Sequence, residues 1–392
     1  MRAAYNAHHM TPSNTDFESI TESGPLVREL RERIARGGPM TFRDFMEAAL
    51  YHPRHGYYST SAGAASRGGD FVTSPEVHPI FGTLVAKTLL ELWESMGRPA
   101  RFDAVEQGGG SGLLARDVLC WAHEREQAFA TALRYMLVER SAAMRAAQER
   151  ALRELELPAD AVSWADELPA AIDGVVVSNE LVDAFPVHRV VRAGAELREV
   201  YVKVDGERFA DELGALSTPA LWSYFDALGV MPGDGHYAEV NLDAIAWMRA
   251  VGQALSHGYV LTFDYGYEAA ELYAPFRRDG TLLCFYQQSA SSDPYQRIGK
   301  QDMTASVDFT TLKRVGVEAG LTTLAMTDQS SFLVRLGIGE GVAAAQGEME
   351  EYFARRKVVM DLIDPGRLGR IKVLLQGKGV GAGAVPRGFR EG

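Results

Sequence analysis

Cysteine is scarce in this chain: Cys120 and Cys284 are the only two in 392 residues. Two thiols make neither a disulfide framework nor, by themselves, a zinc site. A reducing compartment is the expectation that follows. Long apolar runs are missing as well, and none has the length needed to cross a bilayer. There is no excess of positive charge. Lys and Arg number 40 against 52 Asp and Glu, for a net charge of −12, and no basic stripe interrupts the acids. That argues against a nucleic-acid partner, while the acidic balance itself favours solubility. The first 22 residues hold Asp16, Glu18 and Glu22, unlike a transit peptide or secretory signal. They read as a flexible lead-in, and the cytoplasm is the expected location.

Two nucleotide-binding signatures are also absent. A dinucleotide fold wants G-x-G-x-x-G, but the sixth position from Gly108 is Leu113, and no register of the glycine run closes. The phosphate loop G-x-x-x-x-G-K-[ST] does not occur. What does occur is E-x-G-x-G-x-G, Glu106 to Gly112, at the end of the short apolar run Phe102–Val105. A helical pattern follows on Leu113, Leu114, Asp117, Val118 and Trp121, and then a strand, Leu133 to Val138, ending in Glu139. This is strand, glycine turn, helix, strand, acid. Glycines let a ligand approach the backbone, a helix N-terminus offers free N–H groups, and an acid on the second strand can take both ribose hydroxyls. Glu106, two residues before the first glycine, suits an amino-bearing ligand better than a pyrophosphate. The stretch resembles the first motif of class I S-adenosylmethionine methyltransferases.

Helical periodicity marks Leu26 to Ala35, stopped by Gly37-Gly38-Pro39, and Phe42 to Leu50, capped by Thr41. His52 and His55 flank Pro53 and lack a third ligand, so they read as loop residues among packing tyrosines rather than a metal site. Gly68 to Glu76 is a loop in which Ser74 is a natural cap for a helix running through Val77, Ile80, Phe81 and Leu84 to Trp93. Val162–Trp164 is a short strand, and Gly174–Val177 is an apolar one ending in Ser178-Asn179-Glu180-Leu181-Val182-Asp183. Val187 to Val204 reads as a hairpin, and Phe185 to Ser256 as an insertion. Gly258–Phe263 is another buried strand, tipped by Asp264, and Arg370–Leu375 is the last. Polar groups at such strand tips sit where open α/β sheets bind ligands.

Taken together, Gly69 to Glu76 with Phe81-Gly82, Val138-Glu139-Arg140-Ser141 with Arg145 and Gln148, Asn179 to Pro186, Asp264-Tyr265-Gly266, Asp293-Pro294, Gly299 with Asp302 to Phe309, and Gly369 to Gly377 resemble the MidA-like methyltransferase family. The likeness runs from about Pro39 to Lys378, with its motifs in order. It departs from the family at Gly109 and Ser111, where proline and arginine are usual. The resemblance implies an α/β fold with a seven-stranded methyltransferase sheet, an N-terminal helical portion and an inserted substrate-side lobe. The expected divisions are 1–22 flexible, 23–98 helical, 99–376 core with an insertion at 185–256, and 377–392 a flexible Gly-rich tail.

The function implied is S-adenosylmethionine-dependent methyl transfer, with S-adenosylhomocysteine as product. The acceptor implied is a protein arginine, dimethylated symmetrically; a biosynthetic small molecule, or a non-catalytic assembly role, is the alternative. Donor contacts are expected from Glu106, Gly108, Gly109, Gly110, Gly112, Glu139, Arg140, Trp164 and Asn179. Glu180, Asp183, Asp70 and Asp264 are the carboxylates that could hold the acceptor. Each has a second reading: Glu180 as a contact to the donor's amino group, Asp183 as a helix cap, Asp70 as a loop brace, Asp264 as a cap on its strand turn. No metal is expected, and the lead-in, unlike a mitochondrial one, points to a bacterial protein.

Overall fold

The computed structural model describes residues 24–60, 72–340, 349–381 and 385–390. Seven strands form the main sheet: β1 (Phe102–Gln107), β2 (Leu133–Val138), β3 (Val162–Ala165), β4 (Ile172–Asn179), β5 (Leu255–Asp264), β6 (Thr322–Asp328) and β7 (Lys372–Lys378). Their order across the sheet is β6-β7-β5-β4-β1-β2-β3. The five strands from β5 to β3 run parallel, and β7 is antiparallel to both of its neighbours. The buried strands are apolar almost throughout, because helices cover both faces. On one face lie the helices Ile80–Ser95 and Leu113–Arg125, in a core that includes Phe81, Leu89, Val118, Tyr135 and Phe263. On the other lie Leu242–Ala254 and Phe309–Glu318, with Trp247, Met248, Val251 and Leu312 against Val105, Val176 and Val260.

A second sheet stands apart from the first. Its order is Met40–Thr41, Glu196–Asp205, His188–Ala193, Tyr237–Val240, with Arg208–Gly214 added to the long strand. The expected hairpin is its centre. The N-terminal portion divides between the two sheets. Helices Pro25–Gly37 and Phe42–Tyr51 bury Leu30, Phe42, Phe45 and Met46 with Val202, Phe209, Cys284 and Met303 of the lobe, while Ile80–Ser95 belongs to the main sheet.

Several expected boundaries move. The insertion ends earlier than 256, since Leu242–Ala254 packs under the main sheet, and Leu283–Thr304 adds a small three-stranded sheet to the lobe. The helix expected from Ser74 onward is two, Ser74–Val77 and Ile80–Ser95, separated at His78 and Pro79; proline has no N–H to continue the ladder. Thr73, not Ser74, precedes the first of them, and its N–H is held by Glu76 at 3.0 Å. The tail is not loose where described: Gly377 and Lys378 complete β7, and Phe389 packs on Phe332 at 5.2 Å.

Candidate active site

The strand order reverses between β4 and β1, and ligands of open α/β sheets bind at the carboxyl ends of the strands beside such a point. The tips there are Glu106 and Gln107 on β1, Glu139 after β2, and Asn179 and Glu180 at the end of β4. An open cleft of about 1430 Å³ runs over all of them.

The glycine turn forms one wall. Gly110 has φ +48, and a side chain built there would meet nothing within 4 Å, so its face is open to the cleft. Gly112, with φ +83, begins the helix Leu113–Arg125 and does not line the cleft. A Cβ on it would lie 2.9 Å from the Cα of Gln148, so it serves close packing rather than the ligand. Gln148 is fully buried and ties three elements together. Its Nε2 donates to the Gly110 carbonyl (3.0 Å) and, more weakly, to Glu139 (3.4 Å), and its Oε1 accepts from Trp164 Nε1 (3.0 Å). Trp164, expected at the donor, is not among the cleft-lining residues; its described role is to brace Gln148. Glu139 also accepts from the Ser141 N–H at 2.8 Å. Arg140 lines the cleft at an exposed position and donates to the Asp166 carbonyl.

Glu106 is 2% exposed and accepts a 2.7 Å bond from Tyr135. Burial pushes its carboxyl up to about 7, against the lowering effect of that bond. Glu180 has φ +49, rare for a residue with a side chain. Its N–H bonds back to Phe263, and its Oε1 accepts from the Ser74 N–H (3.2 Å) and Asn179 (3.1 Å). Its Oε2 and Asn179 Oδ1 are buried with no partner among the described residues. Burial raises Glu180 to about 8, opposed by those two bonds and reinforced by Asp264 and Glu76. Asp183, 5% exposed, is pushed well up by burial and then by Asp264, Glu180 and Asp302.

Of the two readings of Asp264, acceptor contact and cap on its strand turn, the described bonds match the second. Asp264 is wholly buried, does not line the cleft, and accepts from the Leu181, Val182 and Tyr265 N–H groups at 3.2, 2.8 and 2.9 Å. It holds the loop that carries Glu180 and Asp183. Asp70 lies outside the described residues. His52 braces its turn, accepting from the Arg54 and His55 N–H groups. Tyr51, Tyr58 and Asp302 are among the cleft residues to which the sequence assigned no role. The tyrosines were visible only as packing residues beside a turn, and Asp302 pairs with Tyr58 across 244 positions, a distance no local pattern reports.

This strand order and these strand-tip acids carry a defined kinship. Residues 84–327 match the family described as "Putative S-adenosyl-L-methionine-dependent methyltransferase". The chain belongs to that family. A protein of Burkholderia thailandensis described as a "likely methyl transferase", solved with S-adenosyl-homocysteine bound, is 31% identical, with a TM-score of 0.84 over 94% of this chain and 98% of that one. The mitochondrial protein arginine methyltransferase NDUFAF7 homolog of Drosophila melanogaster is 29% identical, covering 91% of this chain and 86% of its own. The mouse protein arginine methyltransferase NDUFAF7 is 27% identical over 88% and 82%. This chain is an S-adenosylmethionine-dependent methyltransferase. The mitochondrial relatives overturn the bacterial, cytoplasmic location expected from the acids of the N-terminus. No described helix of the methyltransferase is long and apolar enough to cross a membrane.

Proposed function

We propose that this methyltransferase delivers its methyl group to the guanidinium of a protein arginine. The observation that carries the reading is the sign of the cleft. Glu180 and Asp183 both line it, and the strongest influences on them among the described residues are other acids and hydrogen-bond donors, with no cation. Buried carboxylates without a counter-ion are costly, and a bidentate cation relieves that cost. The names of the mitochondrial relatives support the same acceptor. The cleft also exceeds the roughly 300–1,000 Å³ usual for small-ligand pockets, which favours a polymer segment beside the donor.

The residues fit the donor. Glu139 lines the cleft just past the β2 tip, where an acid can take both ribose hydroxyls, and the open face of Gly110 leaves room for the ligand to lie on the turn. Glu106 and the unpartnered Asn179 Oδ1 offer acceptors to an amino group. Leu168 and Pro169, beyond the β3 tip, offer an apolar surface to a flat base. Bound there, S-adenosylmethionine supplies an electrophilic methyl on a positively charged sulfur. A guanidinium, with its pKa above about 12, is a poor nucleophile until its positive charge is held away from the attacking nitrogen. Glu180 Oε2 accepts an N–H from that nitrogen and orients its lone pair. The ionised form of Glu180, made more basic because burial raises the group to about 8, also accepts the proton released as the methyl passes from sulfur to nitrogen, the S–C bond breaking as the N–C bond forms. Asp183 keeps the second edge of the planar cation in place.

The test is purified protein with isotopically labelled S-adenosylmethionine and a host lysate, followed by mass spectrometry of proteins and metabolites. Labelled arginine in protein is the expected outcome. Label confined to small molecules sinks the reading.

A further inference from the structure

Helix Phe42–Tyr51 and the turn Tyr57–Ser59 belong to the lobe side of the molecule, yet both reach the cleft. The rings of Tyr51 and Tyr58 stack there, with centroids 5.4 Å apart and planes at 27°. Tyr51 donates from its hydroxyl to the Ala184 carbonyl at 2.9 Å, one residue past Asp183. Tyr58 donates to Asp302 Oδ1 at 2.8 Å, and the same oxygen accepts from the Met303 N–H. On its other side, the carbonyl of Tyr58 accepts from Ser141 Oγ, two residues beyond Glu139. The aromatic pair therefore bridges the ribose side of the cleft and its acidic side. Asp302 is 8% exposed and lines the cleft with Asp183.

A stacked aromatic pair beside buried acids is a specific chemical surface. Aromatic faces attract a cation, most effectively a planar one that can lie flat on the ring. Carboxylates at the edge of such a plane take paired N–H bonds. The near end of the cleft already shows unmet demand for donors: Asn179, 9% exposed, has a buried and unpartnered Oδ1, and Glu180 Oε2 is in the same state. Tyr58 keeps its hydroxyl proton, since burial and Asp302 both push its ionisation well up, so it holds Asp302 in one orientation across the physiological range.

We propose that Tyr51, Tyr58 and Asp302 form the acceptor wall: the arginine side chain lies against the tyrosine pair, with Asp302 and Asp183 taking its outer N–H groups and one nitrogen left facing Glu180. This rests on the arginine reading above and assigns the residues that select a guanidinium. Tyr51 and Asp302 are acceptor-binding residues; Tyr58 also positions Asp302.

The experiment uses the full chain with Tyr51→Leu, Tyr58→Phe or Asp302→Asn. Two quantities are read: S-adenosylhomocysteine affinity by titration calorimetry, and the half-saturating concentration of lysate protein for arginine labelling. Tyr51→Leu and Asp302→Asn should raise half-saturation about tenfold, the scale of a lost cation–π contact or charge-assisted bond. Donor-product affinity should stay within about twofold. Tyr58→Phe should fall between them and wild type, about threefold. Circular dichroism checks the fold, and the near-isosteric Asp302→Asn decides the matter if Tyr51→Leu does not fold. Unchanged half-saturation in Asp302→Asn, or an equal loss of S-adenosylhomocysteine affinity, overturns the wall. A wild-type protein that labels no arginine overturns the acceptor reading itself, and that result is visible before any variant is compared.

Discussion

Glu180 concentrates two local costs, a left-handed backbone and a carboxylate raised to about 8. The sign of the second is definite. A carboxyl whose folded pKa lies above its unfolded value stabilises the ligand-free fold at low pH, and that contribution is lost as pH climbs through about 8. Glu180→Gln should therefore raise the melting temperature of the ligand-free protein at pH 8.5 relative to wild type, with no gain at pH 4, while arginine labelling at pH 8.5 collapses. An equal shift at the two pH values would show that ionisation of Glu180 is not the cause. Gly110→Val addresses the donor. With φ +48 and an open face, the position has no room for a β-branched side chain once a ligand lies on the turn. S-adenosylhomocysteine binding should disappear by calorimetry in a protein that still folds by circular dichroism. Glu180 and Asp183 were legible as a polar run closing an apolar strand. Asp264 was not separable from them, because a strand-tip acid that faces the cleft and one that turns back onto the next loop have the same sequence signature. Three backbone N–H groups decide the case for Asp264, and they belong to residues up to 83 positions away.

The loop from Leu181 to Asp183 depends on its neighbouring strand. Asp264 supplies both oxygens to it and to Tyr265 from a fully buried position. Removing that carboxylate strands several buried donors, each worth about 1–3 kcal/mol when unmet. Asp264→Ala should lower stability by at least about 3 kcal/mol in urea unfolding and reduce labelling through the displaced loop. A variant of wild-type stability with no activity would return Asp264 to the acceptor. Element by element, helices and buried strands were readable from period and apolar run. Their destinations were not. Amphipathicity says that Phe42–Tyr51 has a face to bury, not that the lobe receives it while Ile80–Ser95 goes to the main sheet. The strand Met40–Thr41 is two residues long, too short for any alternation to announce it.

Across the whole molecule, the proposed donor site draws on three strand tips, the glycine turn and the helix carrying Gln148, so ligand occupancy should be felt by the entire fold. S-adenosylhomocysteine at a hundredfold excess over its dissociation constant should stabilise the protein by about 2.7 kcal/mol, read as a rise in melting temperature; NAD at the same concentration should give none, because the dinucleotide spacing is absent. A shift with NAD alone would overturn the donor assignment. The strand order carries a last consequence. The strand Lys372–Lys378 is the last one among the described residues but lies inside the sheet, hydrogen-bonded between Leu255–Asp264 and Thr322–Asp328. While a ribosome is still threading out residue 370, the edge of Leu255–Asp264 is a bare row of amides, and Thr322–Asp328 has nothing to pair with. Asp264, the brace of the acidic loop, sits on that unfinished edge, opposite Lys372. From residue 264 to residue 378 of its synthesis the nascent polypeptide therefore carries a half-built sheet open to stray strand pairing, and the strand edge that holds the acidic loop is closed only when Lys372–Lys378 slides into the gap.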